Sequence, residues 1–118
     1  MTYVDGYLVP VPEGNKEAYR AMAESTVAIF KEHGALRLVE CWQDDVARGK
    51  TNDFYTAIMQ EPGECVMFSW IEWPSREARD AGWAKVMADE RMKPPAEMPF
   101  IGARMIYGGF QTLVDSNG

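Results

Sequence analysis

The sequence predicts an α+β fold, a ferredoxin-like split βαβ sandwich in which two helices pack on one face of an antiparallel sheet. The first observation is the order of the predicted elements, β-α-β-(β)-β-α-β, which runs through the whole chain. The second is size and composition. The 118 residues, of which 47% are hydrophobic and 25% charged, suit one globular domain. We therefore expect residues 1–118 to form a single ferredoxin-like domain.

The first half of the chain predicts two strands around a helix. Residues 3–11 are rich in aromatic and β-branched side chains and precede a turn-forming stretch, which is typical of a strand. Residues 16–33 predict an amphipathic helix, and Gly34 suits its C-terminal cap. Residues 36–43 then predict the second strand. The expected apolar face of the helix consists of Tyr19, Met22, Ala23, Thr26 and Phe30.

The second half predicts a hairpin, a helix and a last strand. Residues 54–60 and 65–73 read as strands joined by the turn at 61–64. Ser75 suits the N-cap of a helix over 76–88. An irregular, proline-rich connection, 90–103, leads to a final strand, 104–114. The expected packing face of the second helix consists of Ala78, Ala81, Gly82 and Val86.

The strands carry apolar side chains on both faces of the predicted sheet. Two helices can cover only one face, and a soluble monomer does not normally leave an apolar patch of sheet size in water. The sequence therefore predicts a homodimer in which two copies pack their open faces together as a dimeric α+β barrel. In the clearest strand the two opposed sets are Val66, Phe68 and Trp70 on one face and Met67, Ile71 and Trp73 on the other.

Charge and motif content exclude several function classes. A net charge of -6 is the wrong sign for binding a phosphate backbone, so we expect no nucleic-acid partner. No run approaches the roughly 18 apolar residues of a membrane span, and no signal peptide is visible. Cys41 and Cys65 lack metal-ligand spacing, which favours two reduced thiols in a cytoplasmic protein. Since phosphate-loop, nucleophile-elbow and zinc motifs are also missing, we expect no metal and no cofactor.

Several segments carry a family resemblance: YVDGYLVPVP, EHGAL, VECW, DFYTAIMQ, VMFSWIEWPS with REARDA after it, and MPFIGARMIYGGF. In this order, from residue 3 to about 115, they resemble the uncharacterised YbaA-like bacterial family, domain-of-unknown-function family 1428. The resemblance implies the fold of the dimeric α+β barrel superfamily but no established activity. That superfamily includes cofactor-free monooxygenases, haem-dependent enzymes, lactone isomerases and small-molecule binding proteins. The chain departs from the family pattern at Ile101 and Ala103, where an acid and a base are expected.

Two carboxylates in apolar strands are the candidate catalytic residues. Glu40 and Glu72 each share a face with large apolar neighbours, and a buried carboxylate is costly unless it is paired. If either carboxylate faces a cavity, desolvation would raise its pKa and suit it to remove a proton from an acidic carbon. The alternative is a structural ion pair with Arg37 or Arg104.

Aromatic side chains are the candidate ligand contacts. Trp42, Trp70 and Tyr107, with Arg104 as the polar group, suit a pocket for a flat hydrophobic molecule between sheet and helices, although such residues also form ordinary cores. The single histidine, His33, is expected to cap a helix rather than to serve as a haem ligand or general base. Three functions stay open: a small-molecule binding protein, a cofactor-free monooxygenase-like or isomerase-like enzyme, and a protein-interaction or stress-related adaptor.

Overall fold

The computed structural model describes residues 2–94 and 97–118 and confirms the split βαβ arrangement. The four strands pair in the order β2-β3-β1-β4, and every neighbouring pair is antiparallel. Both long helices cover the same face of the sheet. The elements are β1 (Tyr3–Pro12), α1 (Lys16–Glu32), β2 (Arg37–Trp42), α2 (Phe54–Ala57), β3 (Glu64–Trp73), α3 (Arg76–Ala88) and β4 (Ile106–Gln111).

The strand predicted over 54–60 is wrong, because this segment begins with the short helix α2. Asp53 starts the helix with a capping box. Its carboxylate accepts a hydrogen bond of 2.7 Å from the backbone N–H of Thr56, and the Thr56 hydroxyl oxygen accepts one from the backbone N–H of Asp53. Met59, with φ of 51°, ends the turn. The local capping chemistry therefore outweighs the aromatic and β-branched composition that favoured a strand.

The last strand is shorter than predicted. Residues 104–114 contain only β4 as a strand, and Gly102–Arg104 form a 3-10 turn before it. Within the irregular connection, 90–103, a second 3-10 turn spans Glu90–Met92. Pro95 and Ala96 in this connection lie outside the described residues. The connection returns to the helix side of the sheet, where Phe100 packs edge-on against Tyr19 of α1.

The core between helices and sheet follows most of the predicted pattern. The apolar face of α1 packs inward as expected, and Tyr19 and Phe30 are buried. Trp73 of β3 is fully buried under α3. On α3 the prediction is wrong for Ala81, which is exposed. The side chains of Arg79 and Trp83 take the inward positions beside Gly82 and Val86, because both donate hydrogen bonds to a carboxylate in the sheet.

That carboxylate belongs to Asp5, which is 4% exposed in the first half of β1. It accepts hydrogen bonds from the indole N–H groups of Trp73 and Trp83 at 2.9 and 2.8 Å. Arg79 neutralises its charge at 2.8 Å. A buried charge of this kind is tolerated because it is paired and fully hydrogen-bonded.

The opposite sheet face is apolar and partly uncovered, as the strand pattern predicts. At one end α2 covers it, since Tyr55 and Ile58 pack against Val66. Toward the other end the face stays open, and Phe68 and Phe110 are 48% and 62% exposed. The sheet therefore has one face covered by the two long helices and one face with a large exposed apolar area.

Candidate functional site

A groove of about 350 Å³ runs between α1 and β2 on the helix side of the sheet. Alternation along β2 places every second side chain on this side, and the inward face of α1 supplies the opposite wall. Met67 of β3 lies beside the groove because it pairs with Trp42. The groove is lined on β2 by Leu38, Glu40 and Trp42, and on α1 by Lys16, Tyr19, Arg20, Ala23, Glu24 and Val27.

Glu40 is the carboxylate in the β2 wall of this groove. The Tyr19 hydroxyl donates a hydrogen bond of 2.8 Å to Glu40 Oε2, and Ser69 lies directly across the ladder from Glu40. Burial of the carboxyl group against its neighbours raises its pKa, whereas the hydrogen bonds from Tyr19 and Ser69 act in the opposite direction. The residue still has solvent access, so an accessible carboxylate with a raised pKa lies in the groove wall.

The same environment also shifts the pKa of Tyr19. Burial, followed by the nearby charge of Glu40, raises the pKa of the Tyr19 phenol well above its ordinary value of 10.0. The phenol is therefore protonated at neutral pH and acts as the hydrogen-bond donor of the pair. This arrangement fixes one oxygen of Glu40 and leaves lone pairs on the carboxylate for a molecule in the groove.

Lys16 provides a cation at one end of the groove. Its ammonium lies 5.3 Å from the centre of the Trp42 ring, a cation–π distance. Arg20, one turn further along α1, is paired with Glu17 at 3.2 Å. The Trp42 end of the groove is thus positively charged and aromatic.

Glu72 and Trp70 lie on the other face of the sheet. Arg37 Nε is 2.5 Å from Glu72 Oε2, and the Trp70 indole donates to the same oxygen at 2.9 Å. The Arg37 guanidinium lowers the pKa of Glu72, while burial opposes it. This geometry matches the ion-pair alternative for Glu72, and it separates Glu72 from the groove around Glu40.

Arg104 forms an ion pair with Glu64, the first residue of β3. It holds Glu64 with two hydrogen bonds of 2.8 and 2.5 Å, and it also donates to the backbone carbonyls of Ile58 and Met59. Hydrogen bonding to Arg104 lowers the pKa of the Glu64 carboxyl group. The guanidinium thus fastens the turn after α2 to the start of β3.

Tyr107 and His33 lie outside the groove. Tyr107 is 72% exposed on the edge strand β4 and stacks on Tyr7 with 6.1 Å between ring centres. His33 caps the C-terminus of α1, as expected, and contacts Asp89 at 2.9 Å. Of the predicted site residues the structure brings Glu40 and Trp42 together in the groove, whereas Glu72, Trp70 and Tyr107 border a separate, larger concavity of about 940 Å³ on the open sheet face.

Sequence reasoning missed the contributions of Lys16, Tyr19 and Ser69. Tyr19 was assigned to the apolar helix face, although a buried tyrosine hydroxyl usually needs a partner. That need, together with an unpaired glutamate on the following strand, was the available signal. Lys16 carried no signal, since lysines in the first turn of a helix are ordinary surface residues.

Within residues 2–94 and 97–118, no group of three histidine, cysteine, aspartate or glutamate side chains is arranged to hold a metal ion. None of the helices in that part of the chain has the length and apolar character needed to cross a bilayer.

Fold and groove together define a small α+β protein that has the fold of the dimeric α+β barrel proteins and a side-chain-lined cleft between its first helix and its sheet. Residues 2–102 match the model of the family described as "Protein of unknown function (DUF1428)", and the chain belongs to this family. It is 56% identical over 116 residues to "Uncharacterized protein YbaA" of Escherichia coli strain K12, an alignment covering 98% of this chain and 99% of the relative. The Shigella flexneri protein of that name matches equally well.

One solved structure supports the fold. A mutant of MhuD, crystallised with two manganese protoporphyrin IX molecules bound per active site, superposes with a TM-score of 0.61 at 16% identity, covering 98% of this chain and 99% of that one. Rv0793 from Mycobacterium tuberculosis gives a TM-score of 0.45 at 13% identity, with the same coverage. At such identity the likeness to MhuD concerns the fold alone.

Proposed function

We propose that the protein binds a small, flat hydrophobic or aromatic molecule in the groove between α1 and β2. The observation that carries the proposal is the sheet wall of the groove: Trp42, Leu38 and Met67 form an apolar surface that is interrupted by one accessible carboxylate, Glu40. The facing helix α1 adds charged side chains at its rim, Lys16, Arg20 and Glu24. Ligand sites are typically concave and mostly apolar, with a few polar groups that fix orientation. A volume of about 350 Å³ lies within the range of small-molecule sites.

The fold gives further support. The MhuD mutant with a similar fold holds flat porphyrin rings in its active site. A protein with this fold can therefore accommodate planar molecules in its active site.

A naphthol, a neutral flat probe, tests the proposal by isothermal titration calorimetry. Ala23 lines the groove, so we expect Ala23→Trp to fill it and to lower the affinity at least tenfold. Ala21, on the exposed side of the same helix, provides the matched control Ala21→Trp, which should bind like the wild type. Equal binding by both variants, or no saturable binding of the naphthol and of its carboxylate derivatives by the wild type, would overturn the proposal; the latter result favours the interaction-protein alternative.

A second candidate function is isomerisation without a cofactor, favoured by the accessibility and raised pKa of Glu40. The Glu40 carboxylate would take a proton from a carbon next to a carbonyl group, and the C–H electron pair would move into the enolate. Return of that proton to the carbon or the oxygen balances the reaction. Phenylpyruvate keto–enol interconversion, followed by absorbance, tests this function. Glu40→Gln should abolish any acceleration, whereas Glu77→Gln on the exposed surface of α3 should not.

We also propose that a second copy of the chain covers the open sheet face. Phe68, Ile106 and Phe110 are all more than 40% exposed there, and an apolar patch of this kind usually marks an interface. Light scattering should give twice the mass of 13.3 kDa. Phe110→Asp should shift the protein to a monomer, while Met87→Asp on the exposed side of α3 should not. A wild-type protein that is monomeric at micromolar concentration contradicts the dimer.

A further inference from the structure

We infer that the ligand is an aromatic anion with a hydroxyl group at its other end, its acidic group received by Lys16 and its hydroxyl by Glu40. The inference rests on the proposed binding function and specifies the chemistry that the groove selects. It follows from the order of charged side chains along the groove, which runs from a cation at the Trp42 end to carboxylates further along.

The cationic end is defined by the first turn of α1. Lys16 lies over Trp42, and in the described part of the chain it forms no ion pair, so its ammonium is free to meet an anion in the groove. Arg20 adds little there because Glu17 already neutralises it at 3.2 Å. An aromatic acid that packs against Trp42 would therefore place its carboxylate within reach of Lys16.

The other charges in the groove repel an anion. Glu24 follows Lys16 by eight residues on α1, or about 12 Å along the helix axis. Glu40 lies in the facing strand between Trp42 and Leu38. A carboxylate bound beside either of these groups would meet a like charge, so only the Trp42 end accepts one.

Glu40 instead favours a hydrogen-bond donor. Tyr19 occupies one side of its Oε2 atom, and a carboxylate offers about four acceptor positions in total. Hydrogen bonds to an ionised acceptor are roughly twice as strong as neutral ones. A phenolic or enolic O–H on the ligand satisfies this group, whereas a purely apolar ligand would cover the carboxylate without replacing its water.

The spacing fits a bicyclic or similarly elongated ring. Glu40 and Trp42 are two residues apart on the same face of β2, which separates them by roughly 6.5–7 Å. An aromatic ring that packs against Trp42 can therefore carry a substituent toward Glu40, and a second fused ring extends that reach. The ligand therefore lies along β2, with its plane against the apolar side chains of Leu38, Trp42 and Met67.

Three matched probes test this inference by calorimetry at neutral pH and low ionic strength: a naphthol, the corresponding naphthoate, and a hydroxynaphthoate with its groups at opposite ends. We expect the hydroxynaphthoate to bind most tightly. Lys16→Gln should lower the affinity for the two carboxylates about threefold to fivefold and leave the naphthol unchanged. The wild-type preference for carboxylates should also weaken as salt is added.

Two further variants complete the experiment. Lys31→Gln removes a lysine in the last turn of α1, roughly 22 Å along the helix from Lys16, and should bind all three probes like the wild type. Glu40→Gln should reduce the advantage of the hydroxynaphthoate over the naphthoate about twofold or more. Circular dichroism confirms that each variant is folded.

The outcomes separate this inference from the proposed function. If the naphthol binds as tightly as the acids and Lys16→Gln changes nothing, the anion assignment is overturned while the binding function stands. If hydroxyl substitution has no effect on affinity, the role of Glu40 is overturned. If none of the three probes shows saturable binding, the proposed function itself fails.

Discussion

Arg79 of α3 holds Asp5 of β1 with its Nε and Nη2 atoms, which lie 3.0 and 2.8 Å from Asp5 Oδ1. The other carboxylate oxygen accepts from the indole groups of Trp73 and Trp83. One buried carboxylate on β1 therefore links this strand to the neighbouring strand β3 and to the helix α3. The charge cannot be removed without leaving a partly buried guanidinium and two indole donors incompletely paired.

We predict that Asp5→Asn lowers the free energy of unfolding by about 2–4 kcal/mol, since breaking a buried ion pair leaves an uncompensated charge. Urea denaturation measures the loss. Asp80→Asn is the matched control, because Asp80 also contacts Arg79 but is exposed. We expect the control to change stability by less than about 0.5 kcal/mol. Equal effects of the two substitutions would contradict a special role for the buried carboxylate.

Gly82→Ala should destabilise the protein although alanine is the better helix former. A Cβ atom at Gly82 would lie 2.7 Å from the His33 carbonyl oxygen and would collide with the Trp73 ring. The gain of up to about 1 kcal/mol in helix propensity is thus outweighed by overpacking that costs about 1–3 kcal/mol. Thermal unfolding checks the sign. At Gly14, where the space around a Cβ is open, the same substitution should be nearly neutral, and a stabilised Gly82→Ala variant would disprove the close packing.

Asp5 and Gly82 also show what the sequence could and could not predict. Periodicity located the long helices to within a residue or so, because these segments bury one face and expose the other. It could not anticipate that Arg79 and Trp83 point inward, since their partner lies more than 70 residues away in the chain. Polar pairing across the core depends on tertiary contacts that local patterns do not encode.

The same reasoning applies to the candidate site. Strand alternation predicted that Glu40 shares a face with Trp42, and the groove confirms that placement. It also grouped Glu72 with Trp70, and both lie on the opposite face. Because alternation within one strand does not say which face meets the helices, the sequence could not tell which glutamate would line the groove.

Arg104 is predicted to be a stability residue with a defined pH dependence. Its removal in Arg104→Met leaves the buried Glu64 carboxylate unpaired, which should cost about 2–4 kcal/mol at neutral pH. The folded protein lowers the pKa of Glu64 below its ordinary 4.5, so the stabilisation is present above that value and is lost as pH falls through the lower, folded pKa. Urea midpoints at several pH values measure it.

The control for this prediction is Arg76→Met. Arg76 is an exposed arginine on α3 whose ion pair to Asp80 is 3.7 Å long, so its loss should be nearly neutral. If Arg104→Met is as stable as wild type and keeps the same acid sensitivity, Glu64 does not depend on Arg104. If the variant is less stable but keeps the same acid sensitivity, another carboxylate is responsible for that sensitivity.

The last prediction concerns the stability cost of Glu40. Its pKa is raised in the folded protein, so folding favours the protonated form, and the wild type loses stability as pH rises above 4.5 through the folded pKa. Glu40→Gln imitates the neutral form. The variant should match the wild type near pH 4 and exceed it at pH 7 by less than about 1 kcal/mol, since solvent partly screens the carboxylate.

Thermal unfolding from pH 4 to 8 measures this difference, with Glu17→Gln on the exposed side of α1 as the control that should show no such trend. A Glu40→Gln variant that is less stable at pH 7 would mean that the ionised carboxylate stabilises the fold and is a structural partner of Tyr19. A variant that is more stable at pH 7 but binds the hydroxynaphthoate less tightly would show that Glu40 trades stability for ligand recognition, as expected of a functional group in a binding groove.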